Sequence, residues 1–242
     1  MQKMLSLVRQ CAEDYRMIAP GDRIAVGVSG GKDSLTLLRL LAELRRFYPA
    51  PFSLTAITLD MGYPGMDFSP VAALCRELEV PYILRLTQIR EIVFDIRKES
   101  NPCSLCAKLR RGILNEEALN QGCNKVALGH HFDDVAETFA LSLIYEGRLG
   151  CFLPVTHLDK TGLTSIRPLL YLHEKTIRNF AEKMALPVVY NPCPADKHTQ
   201  REEVKTLLYQ MEGRYPGFKQ NILGALQRSP LPGWQPAPKQ QR

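Results

Sequence analysis

Two groups of residues in this 242-residue sequence carry chemistry in their types and spacing. The first is Ser29-Gly30-Gly31-Lys32-Asp33-Ser34, which directly follows the apolar run Arg23 to Val28. Glycines let a backbone approach a phosphate, and the start of the next helix turns free N–H groups and the positive end of its dipole toward the anion. The hexapeptide is not a Walker loop, because Val26 stands where that pattern has its first glycine and Asp33 where it has Ser or Thr. Nor does it hold three glycines at the dinucleotide-binding spacing. On spacing alone it is equally a structural turn and a phosphate cradle.

The second group is sulfur. Cys103 and Cys106 form a CxxC that reads as standing just before a helix, where the dipole lowers thiol pKa. Asn-Pro-Cys occurs at 101–103 and again at 191–193, which makes Cys193 the natural third thiol. Proline stiffens the residue before it and so presents the cysteine firmly. A CxxC fits a redox dithiol, half a zinc site or part of an iron–sulfur site. A closed zinc site needs a fourth ligand, from His198 or Cys123. Three cysteines alone suit a 4Fe-4S cluster better, with one iron left open. Cys11, Cys75 and Cys151 lie in apolar stretches and read as small packing thiols.

These residues need a scaffold, and the pattern supplies one. Arg23–Val28 reads as a strand, and Leu35, Leu37, Leu38, Leu41 and Leu44 mark one side of the helix that follows. A second strand runs from Phe52 to Leu59 and ends at Asp60, before a helix with Ser69 as N-cap and Pro70 at its first position. Strands at 82–86, 125–128 and 163–166 follow, with helices around 104–120, closed by Gly122, and 133–146. Alternation of strand and helix predicts an α/β fold: a Rossmann-like parallel sheet with helices on both faces. Ligands in such sheets bind at the carboxyl ends of the strands. The Ser29–Ser34 loop, Asp60 and Gly129-His130-His131-Phe132-Asp133-Asp134 would then line one crevice. Asp60 is equally a turn residue before Gly62 and Pro64, and His130 and His131 are equally packing residues.

The expected organisation is an α/β domain over 1–190 carrying the CxxC insertion, a helical extension over 191–228 carrying the third cysteine, and a tail at 229–242. Four prolines in the tail's fourteen residues predict disorder. Composition fits an ordinary soluble globular protein, with 45% hydrophobic and 23% charged residues. Lys3, Arg9, Glu13, Asp14 and Arg16 leave no apolar core for a signal peptide, and no apolar run is long enough to span a membrane. The expected location is the cytoplasm, where seven cysteines are not explained by disulfides. The net charge of +6 is uneven. Residues 85–111 hold seven Lys and Arg against three acids, and 197–242 hold eight against three. Two basic patches on a near-neutral body suit a polyanion such as RNA, although solvated surface charge explains them as well.

The hexapeptide resembles the pyrophosphate-binding loop of the adenine nucleotide α-hydrolase-like (PP-loop) superfamily. That resemblance implies hydrogen bonds from Ser29, Gly30, Gly31 and Ser34 to pyrophosphate, charge neutralisation by Lys32, and Asp33 organising the turn or holding Mg2+. Together with Cys103 to Leu114, Leu128-Gly129-His130-His131-x-Asp133-Asp134-x-x-x-Thr138 and Ile166-Arg167-Pro168-Leu169, it is similar to the tRNA 2-thiocytidine synthetase (TtcA-like) family. The likeness runs from about Asp14 to Tyr215. It implies ATP-dependent thiolation of a cytidine in the tRNA anticodon loop, with Mg2+ and a 4Fe-4S cluster on Cys103, Cys106 and Cys193. Two departures stand out: the chain is shorter at both ends than the longer members, and Cys193 lies in Asn-Pro-Cys-Pro-Ala-Asp where a second CxxC is expected.

On this reading Asp133 or Asp134 binds Mg2+ or positions the base, and Arg167 stabilises charge on the α-phosphate. Asp60, Gly129 and His130 contact the nucleotide, and Arg110 and Arg111 pair with ATP or tRNA phosphates or are simply solvated. The expected partners are tRNA and a cysteine desulfurase or other sulfur donor, with a homodimer allowed and no membrane. Alternatives are 2-thiouridine or lysidine synthesis, ATP-dependent thiolation of a small molecule, and a nucleotide- and cluster-binding sensor without turnover. Lysidine synthesis needs no cluster, and a small-molecule substrate leaves the basic patches unexplained.

Overall fold

A computed structural model describes residues 1–98, 102–194, 200–229 and 231–238. Its strands are β1 (Asp22–Gly27), β2 (Phe52–Asp60), β3 (Tyr82–Leu86), β4 (Lys125–Ala127), β5 (Val155–Leu158) and β6 (Leu163–Ile166). They form one sheet in the order β3-β2-β1-β4-β6-β5, parallel throughout except for β5 against β6. The helices are α1 (Gln2–Asp14), α2 (Lys32–Leu44), α3 (Ser69–Glu77), α4 (Pro102–Asn120), α5 (Phe132–Glu146), α6 (Glu174–Lys183), α7 (Gln200–Arg214) and α8 (Phe218–Arg228). A wide π-helical turn spans Glu91–Arg97.

Side chains alternate across the pleat of β1. Ile24 and Val26 join the main core on one face, and Ala25 joins a smaller cluster with Ile57, Ala118 and Val126 under α4. Both faces are covered, as a parallel sheet requires. Helix α2 buries Leu35, Leu37, Leu38, Leu40, Leu41 and Leu44 completely, a wider stripe than one side, because it packs on α1 and α6 as well as on the sheet. Truncating one such leucine to alanine costs about 2–5 kcal/mol. The phosphate-loop candidate therefore leads into one of the firmest helices of the molecule.

Several local expectations change. Helix α1 was unanticipated, although Met4, Leu5, Val8, Cys11 and Ala12 are buried at helical spacing. Strand β5 was also missed, since Thr156 and His157 give an edge strand little apolar signal. Ser69 lies inside α3 rather than capping it; the N-cap is Phe68, and Asp67 accepts bonds from the Ser69 N–H (2.8 Å) and hydroxyl (2.9 Å). Helix α4 begins at Pro102, so Cys103 and Cys106 sit within its first turns rather than before it.

Helices α7 and α8 pack on α5, and Val204, Leu208, Ile222, Leu223 and Leu226 belong to the main core. The C-terminal helices thus share the hydrophobic interior of the preceding residues. The expectation of disorder after 229 is corrected over 231–238, where Trp234 is 1% exposed and the Ala237 N–H donates to the Asp14 carbonyl (2.6 Å). One buried indole removes enough apolar area to hold a proline-rich segment down.

Candidate active site

At the carboxyl ends of the strands lies a cleft of about 650 Å³. Ser29, Gly31, Asp33 and Ser34 line it from the first loop, Gly129, His130 and Asp134 from the fourth, and Arg167 from the end of β6. The Ser34 hydroxyl donates to the Gly31 carbonyl (2.9 Å) and accepts from the Ser29 N–H (3.1 Å), curling the loop over the start of α2. Helix α2 has Gly31 as N-cap with no side-chain bond to its first N–H groups, which leaves them available to an anion.

Two glycines let three chain segments meet here. Gly30 has φ +83°, and a Cβ there would stand 2.9 Å from the Val189 Cβ. The Val189 N–H donates to the Gly30 carbonyl (3.0 Å), tying segment 187–191 to the loop. At Gly129 a Cβ would stand 3.2 Å from the Asp33 carbonyl carbon and the Ser34 nitrogen.

The Lys32 ammonium lies between Asp33 Oδ2 (3.0 Å) and Glu174 Oε1 (3.2 Å). Asp33 Oδ1 is buried without a hydrogen-bond partner among the described residues; His131 Nε2 is 3.7 Å away, too far for one. The adjacent acids Asp133 and Asp134 divide their tasks. Asp133 is turned away from the cleft and accepts from the Glu174 N–H (2.8 Å) and the Lys219 ammonium (2.7 Å). Burial works against its ionised form, but those two bonds prevail and hold its carboxyl below the ordinary range. Asp134 lines the cleft, and its Oδ2 also accepts from the backbone N–H of His131, the N-cap of α5.

His130 faces the cleft with its ring 4.7 Å from that of Phe152. Burial, reinforced by the charge on Arg167, pushes its pKa down to about 4, so the imidazole is neutral at pH 7. Arg167 lies over the same phenyl ring at 5.0 Å, donates to the Leu153 carbonyl (2.6 Å), and keeps its charge at neutral pH although burial lowers its pKa to about 10. Its Nε and the Nδ1 of His130 are buried and unpartnered among the described residues. Asp60 serves a turn, accepting from the Gly62 N–H (2.9 Å), while its neighbours Leu59 and Met61 line the cleft.

One face of α4 closes the far side through Ala107, Arg110, Arg111, Leu114 and Asn115. Burial, with Cys193 and Cys106 nearby, pushes the Tyr63 hydroxyl pKa up, and Cys193 also adds to the rise at Cys106. The expected lowering of thiol pKa is reversed at Cys106: burial, together with the neighbouring Cys193 and Cys103, pushes it up, and Arg110 only partly opposes. Among the described residues no three His, Cys, Asp or Glu side chains stand close enough to hold a single metal ion. Cys123 is buried in the small cluster under α4, and His198 lies outside the described residues.

The chain matches the PP-loop domain family ATP_bind_3 over residues 2–212. The tRNA-cytidine(32) 2-sulfurtransferase of Geobacter sulfurreducens is 41% identical over 228 residues, which are 93% of this chain and 89% of that protein. The enzyme of the same name from Pelobacter propionicus is 42% identical over 93% and 85%. The chain belongs to the PP-loop tRNA-cytidine(32) 2-sulfurtransferase family. The U34-tRNA thiolase NcsA from Methanococcus maripaludis, solved with its [4Fe-4S] cluster, superposes with a TM-score of 0.74 at 28% identity, covering 90% of this chain and 75% of that one. An NH3-dependent NAD synthetase from Campylobacter jejuni, at a TM-score of 0.50 and 14% identity, shares the fold alone.

For a 2-sulfurtransferase of this family the sequence left two kinds of residue unseen. Phe152, Ser165 and Val189 line the cleft from segments without any motif. Arg201, Lys205 and Lys219 belong to the C-terminal basic patch, yet they turn inward to Glu137 (3.0 Å), Glu174 (3.0 Å) and Asp133 (2.7 Å). Charge counting alone cannot separate cations that face solvent from cations that face carboxylates.

Proposed function

We propose that this chain adenylates and then thiolates C2 of a cytidine in the tRNA anticodon loop, at position 32 as in the names of its relatives. The observation that carries the reading is a shared wall: Ala107, next to Cys106, and Asn191, two residues before Cys193, line the same cleft as the Ser29–Ser34 loop. The Asn191 side chain also accepts from the Cys193 N–H (3.2 Å), so that cysteine is seated at the cleft's edge.

In the first step the C2 oxygen attacks the α-phosphorus of ATP, and the bond to the bridging oxygen breaks. Pyrophosphate leaves with the electron pair. The loop N–H groups and Lys32 receive the charge that develops on it. Arg167 lines the cleft where it would meet the α-phosphate, and Asp134, which unlike Asp133 lines the cleft, would hold Mg2+. In the second step sulfur at the sulfide level adds to C2, the C2–O bond breaks, AMP departs, and the proton of the sulfide goes to solvent. Adenylation is what turns a poor leaving group into a good one.

The donor set fits a 4Fe-4S cluster. The thiols come from two segments, and burial, together with the nearby Cys193 and Cys103, raises the Cys106 pKa, a cost that a cationic iron centre would offset. Cys103, Cys106 and Cys193 would hold it, and it would supply an iron with an open position for sulfur. A cysteine desulfurase as upstream sulfur source, a homodimer and a cytoplasmic location belong to the same reading.

The test is mass spectrometry of nucleosides from tRNA of strains with and without the gene. Loss of 2-thiocytidine is expected. Loss of a different thionucleoside would change the target base, and an unchanged profile would overturn the reading.

A further inference from the structure

Lys32 reaches away from its own loop to a carboxylate on another helix. Glu174 is the first residue of α6, where a negative charge is favoured by the helix dipole, and α6 packs on α2. Its backbone N–H donates to Asp133 (2.8 Å), which is itself paired with Lys219. Of its two carboxylate oxygens, Oε1 meets Lys32 (3.2 Å) and Arg178 (3.3 Å), and Oε2 meets Lys205 of α7 (3.0 Å). The Glu174 side chain is 14% exposed, against 27% for Lys32.

We infer that Glu174, seated by Lys205, is a positioning residue for Lys32, holding the ammonium at the phosphate loop until pyrophosphate takes it over. This rests on the proposed role of Lys32 toward pyrophosphate. A lysine on four rotatable bonds has to be ordered before it can meet a developing charge, and an ion pair formed beforehand does that ordering. Asp33 holds the ammonium from the same helix (3.0 Å), whereas Glu174 holds it from a separate element, α6. Lys205 and Arg178 have a second effect. When Lys32 transfers to a phosphate they still neutralise Glu174, so no bare carboxylate is left in a half-buried site. The same contact therefore both holds the lysine and releases it.

The test is calorimetric titration of the chain and its variants with inorganic pyrophosphate and Mg2+, paired with circular-dichroism melting to confirm folding. Lys32→Ala should abolish most of the binding. Glu174→Gln should weaken it roughly three- to fivefold, the upper range for one partly exposed ion pair, and Glu174→Asp should recover part of the loss. The double variant Lys32→Ala/Glu174→Gln should match Lys32→Ala, since positioning has no meaning without the lysine. In the full reaction the Glu174→Gln loss should fall more on kcat than on the KM for ATP. Wild-type or tighter pyrophosphate binding by folded Glu174→Gln would overturn the inference, as would a further loss on the Lys32→Ala background. If Lys32→Ala binds like the wild type, the phosphate-loop reading itself fails and the inference falls with it.

Discussion

Replacing Gly30 by alanine strains the loop in two separable ways. The residue has φ +83°, and a left-handed conformation costs an L-residue about 1–2 kcal/mol. The new Cβ would also stand 2.9 Å from the Val189 Cβ and 3.0 Å from its Cγ2, an overpacking worth about 1–3 kcal/mol. Val189 cannot step aside freely, because its N–H is bonded to the Gly30 carbonyl at 3.0 Å. Gly30→Ala should therefore destabilise by roughly 2–5 kcal/mol in all. On a Val189→Gly background both offending atoms are gone, and only the backbone part, about 1–2 kcal/mol, should remain. The coupling between the two positions is then about 1–3 kcal/mol. Urea unfolding followed through Trp234, the single tryptophan and 1% exposed, measures all four proteins. The midpoints should shift at constant m. Coupling below about 0.5 kcal/mol, the ordinary scatter of additivity, would refute the claim that loop and segment press on each other. Turnover should follow stability, because Val189 leads to Asn191 and so to the seat of Cys193.

Cys193→Ala should abolish the broad visible absorption of the anaerobically reconstituted protein, and an unchanged spectrum would remove Cys193 from the cluster. Acid should destabilise the fold through Glu174. Although burial opposes it, Lys205 and Lys32 hold its carboxyl down to about 2 from 4.5. The unfolded chain takes up that proton first, so the stability from Glu174 is complete above pH 4.5 and is lost as pH falls toward 2. Urea midpoints between pH 7 and pH 3 should fall less steeply in Glu174→Gln than in the wild type. Arg110→Ala/Arg111→Ala should weaken tRNA binding and reduce the slope of log affinity against log salt by about 1–2. An unchanged slope in fluorescence anisotropy would place the RNA elsewhere.

The strand-loop-helix around Ser29–Ser34 was legible because a short apolar run, a glycine pair and a leucine-rich helix are local signals, and strand ends gather ligands by topology. The division between Asp133 and Asp134 was not. Successive residues on a helix point about 100° apart, and which one faces the cleft depends on where Lys219 arrives from α8. Glu174 carries no signal in the sequence, since nothing near it shows that Lys32 and Lys205 converge on it. The direction of the Cys106 pKa was not legible either, because burial, with Cys193 and Cys103 nearby, raises it against the expectation from the helix dipole.

Arg201, Lys205 and Lys219 pair with carboxylates, whereas Arg110 and Arg111 of α4 line the cleft. On that helix Cys103, Cys106 or Ala107, Arg110 or Arg111, and Leu114 or Asn115 recur at intervals of three and four residues, so they share one face. From Ala107 to Asn115 that face lines the cleft. Leu114 on that face also packs against the small cluster beside the sheet, and only Glu117 and Ala118, near the end of the helix, are fully buried. One helix thus presents thiols at its start and guanidinium groups one turn further on. An anionic strand drawn to Arg110 and Arg111 would bring its base to the wall that Ala107 and Asn191, the neighbours of the thiols, share with the phosphate loop. The reaction needs that convergence, because an adenylated base left waiting for its sulfur would be lost to water.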